Sequence, residues 1–495
     1  MDLEFLSRLQ FAVTIAFHYI FPPLSIGLGT YLVINEAVYL KTRDEFYRQA
    51  TKYWVRIFAL IFAIGVATGI VMEFEFGTNW ATYSRFVGDV FGSALAAEGI
   101  FAFFLESGFL AVLLFGWDKV GPKMHFFSTL MVCLGSHFSA IWIVVANSWM
   151  QTPAGFVLEV NGQRLNPEAS LRPEDVEHTR AVIYDFWAMV FNPSSVERLT
   201  HVILGSWLAG AFLVLSISAF YLLRGKHIRF ARFSFATGLV LATVSSLLQL
   251  VSGHSSAEVV AEHQPVKLAA MEGQYETVDS ASLSIVGWVD EDNQQTYSVA
   301  IPGMLSWLIS GETQHEVKGL KDLPGDDFIA ERHPEAAPED YPQLREEHYW
   351  PKVHYVFQFY HLMVAIGMAL IALSLWGCWL WWRGTLFDLS RKGTRIFLGV
   401  TVVSVLGPQI ANQVGWFTAE MGRQPWIVYE LMRTSEGLSK VVVPEQVLGS
   451  LLMFGFIYAL LFALFVFLLT LKITHGPDIE EDETEYAHTK QLFKQ

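Results

Sequence analysis

The chain has 495 residues, 53% of them hydrophobic, 15% aromatic and only 16% charged. Soluble domains carry about a quarter charged residues, so this balance excludes an ordinary soluble fold and marks a membrane protein. A net charge of −15 argues against a nucleic-acid partner, and the two cysteines, Cys133 and Cys378, both inside apolar runs, offer neither a disulfide framework nor a zinc site.

Apolar runs of roughly 20 residues, enough to cross a bilayer, are the primary signal. The first four fall at about 9–34, 53–73, 94–116 and 125–146. The first is too long for the core of a cleavable signal peptide and reads as a span. A shorter run near 180–191, "AVIYDFWAMVFN", reads as an interfacial helix, and further spans follow at 198–223 and 230–251. A polar block, 253–352, then holds 19 acids and 6 bases, −13 of the total charge. Spans at 353–382, 394–412 and 446–473 complete nine, and the acidic tail after His475, "GPDIEEDETEYAHTK", reads as disordered. The expected organisation is therefore all-α and polytopic. Helices 1–6 lie in 1–252, an outer loop in 253–352, helices 7–9 in 353–475 and a cytoplasmic tail in 476–495. No internal repeat is evident, which speaks against an inverted-repeat transporter.

Basic residues set the orientation. Lys41, Arg43, Arg48, Lys52 and Arg56 follow the first span, and Lys119 and Lys123 the third. Arg224, Lys226, Arg229 and Arg232 follow the fifth, and Arg383, Arg391, Lys392 and Arg395 the seventh. These loops share one side, which is cytoplasmic. The N-terminus and the acidic block then lie outside and the C-terminus inside.

Orientation converts residue numbers into depths. His18 lies about ten residues into the first span, Glu98 at the outer end of the third and Glu106 near its middle. His201 opens the fifth span, Met363 lies about ten residues into the seventh, and Glu420 and Arg423 mark the outer boundary after the eighth. On an α-helix Glu98 and Glu106 are separated by about 12 Å and 80°, so they serve two points of one pathway and do not share a proton directly. Intramembrane His, Met and carboxylates suit haem ligation and proton relay. Each also has a plain structural reading: a His bonded to a neighbouring helix, a Met as filler, a Glu paired with arginine. His137 and His361 are as eligible as ligands on periodicity alone. Together the features read as a redox or proton-coupled membrane protein. A haem-free proton-coupled transporter and a b-type electron-transfer subunit that reduces no O2 stay open.

Five stretches go further: "LSRLQFAVTIAFHYIFPPLSIG", "GVATGIVMEFEFGTNW", "EGIFAFFLES", "VANSWMQTP" and "GWFTAEMGRQPW". Long and in the same order, they closely resemble subunit I of the cytochrome bd-type quinol oxidases, and the resemblance runs from the N-terminus through the ninth span. It implies nine transmembrane helices and a long outer quinol-binding loop. His18 matches an axial ligand to one of the two haems of the oxygen-reducing site. His201 and Met363 match the axial pair of a low-spin b haem, and Glu420 the carboxylate of a high-spin b haem. Glu98 matches an acid beside the oxygen-binding haem and Glu106 one on the proton route. Trp416 matches a tryptophan packed among the haems, and Arg423 a residue that compensates propionate charge. The implied cofactors are two b-type haems plus haem d, or a third b-type haem in its place.

Lys267 and Glu272, in "VKLAAMEGQY", match the family's quinol-contacting pair; read alone, that stretch is a solvated amphipathic helix. Implied partners are subunit II, a small single-helix subunit, ubiquinol or menaquinol, O2 and the lipid bilayer. The implied location is a bacterial cytoplasmic (inner) membrane, with the N-terminus periplasmic. The implied reaction oxidises two quinols and reduces one O2 to two waters, with no copper and no pump. Asp118, in "GWDKVGP", is a candidate proton entrance or a solvated loop acid. His361 departs from the family pattern, standing where well-known members have arginine. The loop, about 100 residues, resembles the short form found in the cyanide-insensitive subgroup.

Overall fold

Helix dominates because the bilayer supplies no partner for a bare backbone N–H or C=O, so each crossing segment satisfies its own. The computed structural model describes residues 2–165 and 178–479, so most of the acidic tail lies outside the described residues. The first span is two helices, α1 (Leu3–His18) and α2 (Phe21–Thr42). It breaks at Tyr19 and Ile20, where Pro22 and Pro23 supply no N–H to continue the ladder. Next come α3 (Glu45–Thr78), α4 (Gly88–Phe115), α5 (Pro122–Gln151), α6 (Ser195–Arg224) and α7 (Ile228–His263). A short helix, α8 (Pro265–Glu272), opens the polar block. Then follow α9 (Val353–Trp382), α10 (Lys392–Val403), α11 (Leu406–Met421) and α12 (Pro444–His475). Helices α10 and α11 meet at a 43° bend and form one broken span, which brings the crossings among the described residues to the nine expected.

Helix α6 is the hub: 83% of its most apolar stretch is buried, against 11% for α12 at the edge. Lipid gives helices no hydrophobic reason to associate, so close packing supplies it. A Cβ at Gly27 of α2 would stand 2.2 Å from the Ser206 carbonyl oxygen of α6, and one at Gly210 would stand 2.3 Å from the Gly27 carbonyl carbon. Only glycine permits that approach.

Three segments differ from the sequence reading. The run near 180–191 is not one helix: Thr179–Ile183 forms a strand paired with Phe156–Val160, and only Phe186–Val190 is helical. Its β-branched residues complete a small sheet instead. Helix α4 begins at Gly88, so Glu98 lies ten residues inside it rather than at its end, and Glu98–Phe103 is a π-helical turn. The polar block holds a hairpin, Leu283–Asp290 with Gln295–Ile301, and α7 carries the sixth span on to His263.

Candidate functional site

Helix α11 gathers the predicted residues. One turn of it after another meets a different neighbour. Gln413 donates to the Ala16 carbonyl of α1 at 2.7 Å, and the Trp416 ring packs edge-on against Tyr19, 5.5 Å between centroids. The Arg198 guanidinium covers Trp416 at 5.6 Å. A Cβ at Gly415 would stand 2.9 Å from the Met363 sulfur of α9, and one at Gly205 would stand 2.8 Å from Asn412 Oδ1. Met363 and the His201 region thus face neighbouring turns of α11.

The histidines sort by their bonds. His18 Nδ1 bonds Thr68 Oγ1 at 3.0 Å, and that hydroxyl donates to the Ile64 carbonyl at 2.9 Å. The ring therefore donates from Nδ1 and keeps its lone pair on Nε2, the arrangement a metal-ligating histidine uses. A Cβ at Gly69 would crowd the ring at 3.2 Å. His201 bonds Ser252 through Nδ1 at 3.2 Å and accepts from Gln249 Nε2 at 2.9 Å through Nε2, so its lone pair is also on Nε2. The two rivals, like His201, have both ring nitrogens bonded. His137 bonds the Cys133 carbonyl at 2.7 Å and Trp207 Nε1 at 3.0 Å; His361 bonds the carbonyls of Phe357 at 2.8 Å and Ser284 at 3.0 Å.

Beyond Trp416 lies an ionic cluster in which Lys267 and Arg423 are buried and Glu420 and Arg198 half-buried. Glu420 accepts from Asn147 Nδ2 at 3.1 Å, Gln151 Nε2 at 3.2 Å and Arg423 Nη2 at 2.5 Å. Arg198 donates to Asn147 Oδ1 at 2.6 Å, while Lys267 donates to Gln151 and, at 2.5 Å, to Gln264. Three cations thus surround one carboxylate. One nitrogen of each guanidinium, Nη1 of Arg198 and of Arg423, is buried without a protein acceptor. The amides of Gln249, beside His201, and of Gln409 and Asn412 on α11 likewise keep buried atoms unpaired. Buried polar groups are almost always satisfied, so this shell fits a large bound group with acidic substituents and a metal centre, as haem is.

Glu98 and Glu106 face α5. Ser136 Oγ donates to Glu106, and Ser139 Oγ donates to Glu98 at 2.6 Å. The two serines are three residues apart, about 4.5 Å along α5. The two carboxylates therefore reach adjacent turns of α5, and their charges interact. Along α5 the order is Glu106, Glu98, then Glu420 at Asn147, about 12 Å beyond Ser139. Glu106 is 7% exposed. Closer to the start of α5, Glu36, His125 and Thr129 form a fully buried triad, with His125 Nδ1 2.5 Å from Glu36. The i, i+4 spacing of His125 and Thr129 was its only sequence signal. Asp118 stays exposed and pairs with Arg48, which holds its carboxyl below the usual range.

Helix α8 is buried rather than solvated: Lys267 and Glu272 are each 4% exposed. They do not converge. Five residues and about 140° apart around α8, Lys267 points into the cluster, while the backbone of Ser284 hydrogen-bonds Glu272. Burial, then the Arg198 and Arg423 charges, push the Lys267 amine well below its usual range. Burial pushes the Glu272 carboxyl up to about 8.

Known proteins share this fold. The sequence model described as "Cytochrome bd terminal oxidase subunit I" matches residues 6–477. Cytochrome bd ubiquinol oxidase subunit 1 of Bacillus subtilis is 36% identical, over 96% of this chain and 94% of its own length. Cytochrome bd-II ubiquinol oxidase subunit 1 of Escherichia coli is 34% identical, over 97% and 98%. The structure of bd oxidase from Geobacillus thermodenitrificans superposes with a TM-score of 0.81 at 29% identity, covering 96% of this chain and 99% of that one. With the match spanning nearly every described residue, the chain belongs to the cytochrome bd terminal oxidase subunit I family.

Proposed function

We propose that the chain is the haem-bearing subunit of a terminal quinol oxidase in a bacterial cytoplasmic membrane, oxidising two quinols and reducing one O2 to two waters. One observation carries the reading: the cation excess of Arg198, Arg423 and Lys267 around Glu420, with two guanidinium nitrogens lacking acceptors. Haem propionates are anions that forked guanidinium donors match. His201 and Met363 would hold a low-spin b haem, Glu420 a high-spin b haem, and His18 haem d or a third b-type haem, with Glu98 as the acid of the oxygen-reducing site. When bound, haem supplies one-electron storage and the iron at which O2 is reduced.

The chain's own groups then have distinct tasks. Of the expected quinol pair, Glu272 accepts a proton as the quinol is oxidised, while Lys267, turned about 140° away into the ionic cluster, adds positive charge there and does not share that contact. Trp416 fills the space between α1, α11 and Arg198 and keeps water out. Glu106 holds a proton at mid-membrane, on the side of Glu98 away from Glu420, and passes it outward along the serines of α5. Two quinols release four protons on the side of the acidic block, and two waters consume four from the cytoplasm. Charge therefore separates without a pump. Subunit II and a small single-helix subunit would cover part of the exposed helical rim.

A reduced-minus-oxidised spectrum tests the ligand pair. His201→Ala and Met363→Leu should each abolish the low-spin b signal while the protein stays in the membrane; an unchanged spectrum in both removes the assignment. A reduced-plus-CO spectrum alongside quinol-dependent O2 uptake separates an oxidase from an electron-transfer subunit, which has no open iron position.

A further inference from the structure

The hairpin of the acidic block, strands β4 (Leu283–Asp290) and β5 (Gln295–Ile301), lies against the first turns of a membrane-spanning helix. Three bonds fix β4 to α9, and the His354 backbone N–H also donates to Glu291 of the turn at 2.9 Å. His354 Nδ1 bonds the Val289 carbonyl at 3.1 Å, Gln358 Nε2 donates to the Gly287 carbonyl at 2.9 Å, and His361 Nε2 bonds the Ser284 carbonyl at 3.0 Å. Strand β4 thus runs antiparallel along α9 from residue 354 to residue 361. Gly287 allows it, since a Cβ there would stand 3.1 Å from the Phe357 ring.

Depth follows from length. Helix α9 has 30 residues, about 45 Å, against a hydrocarbon core of about 30 Å. Centred, it extends about 7 Å past each boundary, and His361 lies about 12 Å from its start. The base of the hairpin therefore sits about 5 Å inside the boundary. Polarity agrees. Leu283–Val289 and Gln295–Ile301 contain no charge, while Asp290, Glu291 and Asp292 cluster at the turn, the end that the bonds to α9 place in water. The exposed face is apolar in cross-strand pairs: Trp288, whose ring edge also packs on His354 of α9 at 4.3 Å, opposite Tyr297, and Val286 opposite Val299. All four are exposed, by 59–66%, in a block that carries 19 acids. Exposed Tyr355 of α9 extends the aromatic row. Tryptophan and tyrosine at this level are interfacial anchors.

We infer that the hairpin is dipped into the lipid leaflet on the side of the acidic block, with the Trp288–Tyr297 and Val286–Val299 face in contact with acyl chains. The backbone of Ser284 hydrogen-bonds both His361 and Glu272, so the same strand separates Glu272 from lipid. A lipid-soluble quinol would then reach Glu272 past this strand; that clause rests on the proposed quinol reading, and the lipid contact does not.

The test uses the intact oxidase complex in lipid nanodiscs, in a Cys133→Ser, Cys378→Ser background, with a nitroxide at Val286→Cys, Val299→Cys or, on the turn, Asn293→Cys. Power-saturation spectroscopy with O2 and a water-soluble nickel chelate reads depth. The strand labels should relax with O2 in preference to nickel, and the Asn293 label the reverse. Nickel access at Val286 and Val299 equal to that at Asn293 overturns the inference. So does shielding from both reagents, which would mean that a protein subunit covers the face. Separately, Val286→Lys with Val299→Lys should raise KM about tenfold for a long-chain quinol and leave it unchanged for a short, water-soluble one. Lipid-exposed labels together with an unchanged KM would overturn the entry route and the quinol reading while upholding the lipid contact.

Discussion

Glu420 and Glu106 are the same side chain in opposite surroundings. The first sits among Arg198, Arg423 and Lys267 at one end of α5; the second, near the middle of that helix, has a serine hydroxyl and the neighbouring charge of Glu98. A carboxylate ringed by cations balances charge and holds other anions in place. A carboxyl whose neighbours are a hydroxyl and another acid is suited to taking up and releasing a proton. The end and the middle of α5 are thus built for different work.

The largest expected effect tests the cationic end. Arg423→Leu leaves Glu420 without the guanidinium that bonds it directly, a loss larger than that of a surface pair because Arg423 is buried. Loss of haem absorbance and a lowered melting temperature should follow. Glu106→Leu should keep the haem spectrum; equal haem loss in both variants would erase the contrast.

Second in size is the proton task. Glu106→Gln should lower O2 uptake about 100-fold or more with haems retained, the range of general acid–base contributions. Ser136→Ala, which removes only a bond to that acid, should cost a few-fold at most, about 1 kcal/mol. Wild-type turnover in Glu106→Gln would take it off the proton route.

The smallest effect concerns Glu272, whose neighbours from the packed elements include Tyr360 of α9 and the backbone of Ser284. Its carboxyl, pushed up to about 8, is neutral below that pH and a proton acceptor above it. Quinol oxidation limited by this step should rise as pH climbs through about 8, and Glu272→Gln should flatten the rise. Stability moves the other way. The unfolded carboxyl ionises near 4.5 while the folded one keeps its proton to about 8, so the unfolded state binds fewer protons in that window. Stability falls with rising pH between the two values, and Glu272→Gln should remove that slope in denaturation midpoints.

Apolar length made the nine crossings legible, because hydrocarbon thickness dictates it. The site was legible only as residues of unusual type at membrane depth. Arg198, Asn147 and Gln151 went unnoticed: each lies near a helix end, where a polar residue is unremarkable, and only tertiary packing turns them toward Glu420. The π-helical turn at Glu98 has no compositional mark. The strand at Thr179–Ile183 was masked by apolar residues that suit helix and sheet alike. Nor did the uncharged hairpin stand out inside so acidic a block.

The contact of Gly27 with Ser206 and Gly210 also bears on biogenesis. The two backbones meet across 179 residues of chain, with three further spans made between them. At about 5–20 residues per second, the first span waits in the bilayer about 10–35 s before its partner emerges from the ribosome. Insertion must therefore precede packing, and through that interval the glycine face of the first span is open to lipid or to a chaperone.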